Sequence, residues 1–396
     1  MDDIKNLTKK YILNTYNRFD LTFEKGEGVW LFTDKEEKFL DMASGIAVSA
    51  LGYNNKRLVN SLSAQLPKLL HTSNYFYNIP SAKLAEKLIE NTIFSKVFFC
   101  NSGAEANEGA IKFARKYGKS ISSEKYNIIT LNGSFHGRTI TTLSATGQTK
   151  YQKGFEPMTP GFQYAIPNDV KDLKSKFNDT IAALIVEPIQ GEAGIIPLNK
   201  DFLEEARELC DKHNALLIYD EVQTGIGRTG KLFAYQHFLP IEPDVITLAK
   251  GLAAGLPIGC FMVKEKYENV LLPGEHASTF GGNPLSATAA LTELDIILSE
   301  GFLEQLVEKS QFFTEELLKL KEKFPKIILD IRGMGFLIGV EFSKTAREIV
   351  SHLINNNIIA IPAGDNTVRF IPPLIIKGAE LKIAINTLEK ILQEVV

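Results

Sequence analysis

Between Val97 and Val263 short apolar runs alternate with longer amphipathic stretches, and this alternation most restricts the folds open to the chain. The runs are Val97–Cys100, Ile128–Leu131, Ile181–Val186, Ala215–Tyr219, Val245–Leu248 and Ile258–Val263. Each is apolar almost without interruption, rather than at every second residue, so each reads as a strand buried on both faces. Between two of them Phe202, Leu203, Ala206, Leu209 and Cys210 share one face of a helix, which makes a β-α-β unit. The expectation is an α/β layer with a mostly parallel central sheet covered by helices.

After Pro284 the pattern changes to long amphipathic helices, Leu291 to Ser299 and Phe302 to Phe324. Two strands follow, Ile327–Ile331 and Phe336–Phe342, joined through Gly333-Met334-Gly335. A helix from Thr345 to Asn355, short strands near Ile358–Ile361 and Thr367–Ile371, and a terminal helix from Glu380 complete a smaller α+β domain. Near the N-terminus, Gly28–Phe32 and Lys38–Met42 flank an acidic turn at Asp34 to Glu37 and read as a hairpin belonging to the same domain. The expected division is 63–288 for the large domain and 1–62 with 289–396 for the small one.

At 396 residues, 44% hydrophobic and 23% charged, the chain has the composition of a globular enzyme. Lys plus Arg number 44 and Asp plus Glu 47, giving a net charge of -3 without a long run of either sign, which argues against a nucleic-acid or membrane binder. Cys100, Cys210 and Cys260 show no Cys-x-x-Cys spacing, so neither a disulfide framework nor a thiolate zinc site is indicated, and a reducing cytoplasm fits. Met1 to Asn6 lacks a signal-peptide pattern, and the apolar stretch Gly251–Val263 is too short to span a bilayer. His71, His136, His213, His237, His276 and His352 have no metal-ligand spacing, so no metal is expected.

Three segments fall just past strand ends, where α/β folds place their sites. Asn101-Ser102-Gly103-Ala104-Glu105-Ala106-Asn107 follows a strand and opens a helix; free N–H groups and the helix dipole there suit a phosphate, although Ser102 with Glu105 also reads as an ordinary capping box. Asp220-Glu221-Val222-Gln223 ends the strand Ala215–Tyr219. Successive side chains point to opposite faces, so at most one acid enters a given pocket; it could hold a protonated ring nitrogen, or either acid could be a cap or salt-bridge partner. Ala249-Lys250-Gly251 follows Val245–Leu248 and sets a lysine where desolvation makes its amine nucleophilic, unless it is a surface lysine in a loop. Gly225-Ile226-Gly227-Arg228-Thr229-Gly230 spells G-x-G-x-x-G, but five residues separate it from the strand, so it reads as a shaped loop rather than a dinucleotide fingerprint.

A phosphate-binding helix start, an acid and a later lysine together match the requirements of pyridoxal phosphate. The chain resembles the class III aminotransferases, of the fold-type-I pyridoxal-phosphate-dependent transferases, over nearly its whole length. The resemblance is carried by Gly45–Val48, Ala50–Gly52, Asn101–Glu108, Ser134–Thr139, Gly147–Tyr151, Glu187–Glu192, Asp220–Gly230, Leu248–Gly251, Ser278–Pro284 and Arg369–Leu374.

It implies pyridoxal 5'-phosphate as cofactor, held as a Schiff base on Lys250, which also shuttles the proton. Asp220 then pairs with the pyridinium nitrogen, Ser102, Gly103 and Ala104 bind the phosphate, Phe135 and Val222 take the two ring faces, and Gln223 bonds toward the phenolic oxygen. It further implies a homodimer in which Thr279 of the neighbouring subunit completes the phosphate site. Arg138 and Ser278 are the implied substrate contacts, and Glu192 is the implied gate acid paired with Arg369, which otherwise reads as a core-edge salt bridge. The pairing neutralises Arg369 for the amine donor and releases it for 2-oxoglutarate or glutamate. Within the class, Gly45–Gly52 and Gly147–Tyr151 look most like the enzymes of arginine biosynthesis. The implied reaction moves the δ-amino group of N-acetyl-L-ornithine to 2-oxoglutarate, giving N-acetyl-L-glutamate 5-semialdehyde and L-glutamate. Ornithine, succinylornithine, succinyl-diaminopimelate and 4-aminobutyrate are the alternative substrates.

Overall fold

The computed structural model describes residues 2–395. Its central element is a seven-stranded sheet in the order Lys96–Cys100, Gly259–Val263, Val245–Leu248, Leu216–Asp220, Ile181–Val186, Asn127–Leu131, Phe162–Ala165. Only Gly259–Val263 runs against its neighbours. Few residues join it to Val245–Leu248, fewer than a crossover needs, so an antiparallel return is the available route. The other strands are parallel, and their carboxyl ends lie along one edge.

Burial on both faces is what the apolar runs required. Leu184, Val186, Leu217, Tyr219, Ile246 and Leu248 pack into one core with residues of the helices Ile79–Glu90, Lys200–Lys212 and Pro284–Ile297, including Leu84, Phe202, Ala206 and Leu294. Their alternates Ala183, Ile185, Leu216, Ile218 and Val245 face the other way, onto Ala110, Phe113 and Ala114 of the helix Gly103–Ile121. The strand Phe162–Ala165 is the one that the apolar pattern missed. It is only partly buried and contains Gln163 and Tyr164, so it lacks the continuous apolar run that the other edge strand, Lys96–Cys100, keeps in Val97–Cys100.

Two four-stranded sheets and a two-stranded one, Ile189–Gln190 paired antiparallel with Ile196–Pro197, make up the rest. In one four-stranded sheet, the N-terminal strands Phe23–Glu27, Trp30–Thr33 and Lys38–Asp41 are joined by Ile358–Ile359, which pairs in parallel with Lys38–Asp41. In the other, Ile328–Met334, Leu337–Phe342, Thr367–Phe370 and Ile361–Ala363 lie side by side and antiparallel. The helices Phe302–Lys323, Ala346–Asn355 and Gly378–Val395 accompany them. No helix among the described residues is long and apolar enough to cross a membrane.

Candidate active site

A cleft of 400 Å³ opens at the carboxyl ends of the parallel strands, as the position of the three segments required. Ser102, Gly103, Ala104, Phe135, Arg138, Glu192, Asp220, Val222, Gln223 and Lys250 all line it. Arg369 is buried behind Glu192 and reaches the same wall through its hydrogen bonds. Ser278 and Thr279 are not in this cleft; they line a separate cavity with His71 and Tyr75.

On the cleft floor, Asp220 is the last residue of its strand and is almost fully buried. Its Oδ2 accepts from Asn107 Nδ2 at 2.7 Å and from His136 Nδ1 at 2.7 Å, and its Oδ1 accepts from the Val222 N–H at 3.0 Å. Thr247 donates to Asn107 Oδ1 at 2.8 Å, which turns the Asn107 amide nitrogen toward the acid. Burial alone would pull the His136 imidazole below its ordinary value, but the hydrogen bond and charge of Asp220 raise it above. Glu221 points to the opposite face and is fully satisfied there by the N–H groups of Ala234 and Tyr235, with Thr224 nearby. Of the two successive acids, one is thus presented to the cleft and the other braces a loop.

Beside Asp220, Lys250 follows the neighbouring strand in a left-handed conformation, φ 44°. Burial lowers its amine to about 8, against the opposing pull of the Glu192 carboxylate. At the far end of the cleft, Ser102 caps the helix Gly103–Ile121 by accepting from the Glu105 N–H at 3.1 Å. Glu105 itself reaches back to the Asn101 N–H, so the reciprocal half of a capping box with Ser102 is not made. The first helical bond runs from Ala106 N to Ser102 O, which leaves the N–H groups of Gly103 and Ala104 for an anion. Close packing fixes this turn. A Cβ on Gly103 would lie 2.8 Å from Val222, and one on Gly259 would lie 2.4 Å from the Ser102 carbonyl oxygen.

One wall carries two arginines in different states. Arg369 Nη1 donates to Glu192 Oε1 at 2.7 Å, to Gln223 Oε1 at 2.8 Å and to the Gly191 carbonyl at 3.0 Å. Burial would raise the Glu192 carboxyl, but the charges of Arg369 and Lys250 hold it below its ordinary value. Arg138, by contrast, is exposed and lies over the Tyr151 ring at 4.0 Å, with its guanidinium hydrogen bonds free for a ligand. Glu187 ties the wall to the floor: it accepts from the Phe135 and Gly191 N–H groups, and burial pushes it up to about 7.

Sequence reasoning gave no role to Asn107, His136 or Glu187. Asn107 lies one helical turn beyond Gly103 and His136 lies next to Phe135, which is the only local hint; their meeting at Asp220 is long-range. The Gly225–Gly230 segment is a loop, with Ile226, Gly227 and Gly230 at positive φ, which agrees with setting aside the dinucleotide reading. Among the described residues no group of three or more His, Cys, Asp or Glu side chains is placed to hold a metal ion.

The residues fit a phosphate-bearing aldehyde cofactor. A helix start with unpaired N–H groups, a buried carboxylate braced on its far side and a desolvated amine share one cleft of suitable size.

Comparison with known proteins agrees with this chemistry. The family described as "Aminotransferase class-III" matches residues 11–392. A protein of Prochlorococcus marinus named acetylornithine aminotransferase is 46% identical, the match covering 98% of this chain and 95% of the relative. One of the same name from Clostridium acetobutylicum is 45% identical over 97% and 99%. Among solved structures, the ornithine aminotransferase of Toxoplasma gondii superposes with a TM-score of 0.94 at 33% identity, covering 100% of this chain and 95% of that one. The acetylornithine aminotransferase of Elizabethkingia anophelis gives 0.89 at 35% identity, covering 99% of each.

Replacing Gly259 with Ala, where φ is not the obstacle, should push the Ser102 carbonyl and loosen the helix start. The expected result is at least about tenfold weaker uptake of pyridoxal phosphate by titration, as for loss of a charge-assisted hydrogen bond, together with a lower melting temperature, because the added Cβ meets backbone in a buried strand. Unchanged uptake would contradict the placement of the phosphate at this turn.

Proposed function

The chain belongs to the class III aminotransferases, and from that premise we propose that it moves the δ-amino group of N-acetyl-L-ornithine to 2-oxoglutarate, giving N-acetyl-L-glutamate 5-semialdehyde and L-glutamate. One observation carries the substrate reading: the cleft wall holds one free arginine, Arg138, and one masked by a carboxylate, Arg369. N-acetylornithine has a single carboxylate, and 2-oxoglutarate has two. A site that uses one arginine in the first half-reaction and both in the second accommodates each in turn. The identity to relatives named acetylornithine aminotransferase, 46% and 45%, supports the acyl substrate over free ornithine. Structural likeness extends to both kinds of enzyme and does not separate them.

Pyridoxal phosphate, when bound, supplies a carbonyl that condenses with primary amines and a cationic ring that takes up the electron pair released when the substrate C–H bond breaks. The chain's own residues do the rest. Lys250 would hold the cofactor through its amine, and that amine, kept neutral by burial, would serve as the base and acid that moves the substrate's proton. Asp220, braced by His136 and Asn107, keeps the ring nitrogen protonated. Ser102, Gly103 and Ala104 take the phosphate, Phe135 and Val222 enclose the ring, and Gln223 bonds toward the phenolic oxygen while also bonding Arg369. Arg138 binds the substrate carboxylate as a fork. Glu192 screens Arg369 during the first half-reaction and swings aside in the second.

We further propose that the enzyme works as a homodimer in the cytoplasm, its chain divided into a large domain, 63–288, and a small one, 1–62 with 289–396. The three cysteines are all free and buried, which suits a reducing compartment. Thr279 and Ser278 line a cavity apart from the chain's own cleft, and the exposed aromatics Tyr75, Phe76 and Tyr77 lie close by, fastened through the bond from Asn74 Nδ2 to the Ser278 carbonyl. A second copy covering this apolar face brings Thr279 to its partner's phosphate, and Ser278 to its substrate.

Half-reactions test the substrate. The purified enzyme, mixed in turn with N-acetylornithine, ornithine, succinylornithine and 4-aminobutyrate, should show its fastest change in cofactor absorbance per unit concentration with N-acetylornithine; preference for another amine would move the reading to that substrate. The rate at which cofactor-free protein takes up pyridoxal phosphate should rise with pH to a plateau through about 8, because only the neutral Lys250 amine reacts. A midpoint near the ordinary lysine value would contradict the desolvated amine. Mixing Lys250→Ala and Thr279→Ala copies should recover one fully competent site per heterodimer, seen as tight cofactor binding and activity; if Thr279 served its own chain's cleft, mixing would restore nothing.

A further inference from the structure

Arg332, Gly339 and Arg369 form one row across three adjacent strands: Arg332 pairs with Gly339, and Gly339 with Arg369. Directly paired residues present their side chains on the same face, so two arginines stand about two strand spacings, roughly 10 Å, apart with a glycine between them. The loop that carries Glu192 settles into this gap. Ile195 packs over Gly339, where an added Cβ would lie 2.8 Å from the Ile195 Cβ. Arg332 Nε donates to the carbonyls of Gly194 at 2.8 Å and Ile195 at 3.1 Å, and its Nη2 donates to Thr367 Oγ1 at 3.0 Å. Asp330 and Glu341 hold the remaining guanidinium nitrogen. At the other end of the loop, Arg369 binds the Gly191 carbonyl.

Ile195 is fully buried and left-handed, φ 56°, a conformation that a β-branched residue keeps only when its surroundings impose it. Arg332 and the Gly339 gap are those surroundings. We propose that Arg332 and Gly339 are positioning residues that seat the base of the 191–195 loop, so that only Glu192 moves when Arg369 is unmasked. This rests on the proposed screening of Arg369 by Glu192. A loosened base lets Ile195 relax, carries Glu192 away from Arg369, and leaves an unscreened cation in the wall. That cation favours glutamate, which needs Arg369, over N-acetylornithine, which does not.

The measured quantity is the ratio of kcat/KM for N-acetylornithine to that for glutamate in the two amine half-reactions, in holoenzyme of normal cofactor absorbance and melting temperature. A merely structural defect lowers both rates without moving this ratio. Arg332→Gln should lower it about tenfold, the scale of one charge-assisted hydrogen bond. Gly339→Ala, which leaves every arginine donor in place, should lower it in the same direction and decides the matter if Arg332→Gln does not fold. In a Glu192→Ala background neither change should lower the ratio further. If Glu192→Ala lowers the ratio but Arg332→Gln and Gly339→Ala do not, the seating role is wrong. If Glu192→Ala leaves it unchanged, the screening itself is wrong, and the seating role falls with it.

Discussion

The arrangement depends on a carboxylate buried at the end of a strand. Removing Asp220 from water is costly unless donors replace the lost solvation, and the fold supplies them from three separate stretches of chain. Asn107 comes from the helix after Lys96–Cys100, His136 from the loop after Asn127–Leu131, and the Val222 N–H from the turn just beyond Asp220. Satisfying one charge therefore brings together the helix start that suits a phosphate and the loop that carries Phe135 and Arg138. Strand alternation then separates the two acids, since Glu221 spends its charge on the backbone of the next loop.

Electrostatics divides the cleft along the same lines. Lys250 is kept reactive by burial. The opposite wall pairs a masked arginine with an exposed one, and the masking carboxylate sits on a loop whose base is bonded to the sheet that carries the masked arginine. The switch proposed for Glu192 needs a fixed support, and the bonds from Arg332 to the Gly194 and Ile195 carbonyls, with Ile195 packed over Gly339, are what the proposal assigns to that role.

The sequence made the sheet legible because strands covered on both faces must be apolar throughout, and all six such runs are strands. Phe162–Ala165 is only partly buried and has Gln163 and Tyr164 at its centre, so it left no such signal. Local motifs located Ser102, Asp220 and Lys250 because each lies beside a strand end. The partners of Asp220 were not legible: Asn107 and His136 read as a helix residue and an isolated histidine until the fold joins positions 29 and 113 apart in sequence. The row of Arg332, Gly339 and Arg369 was hidden for the same reason, being a matter of strand register in a sheet whose pairing no local pattern specifies.

The most direct test of the account is the protonation state of the cofactor's ring nitrogen, read from the nitrogen-15 chemical shift of labelled pyridoxal phosphate bound to the protein. A carboxylate held by three donors on the cleft floor predicts a protonated nitrogen at neutral pH, with the proton lost in Asp220→Ala. An unprotonated nitrogen in the unaltered protein would contradict the role given to Asp220, and with it the electron-accepting function on which the proposed transfer depends.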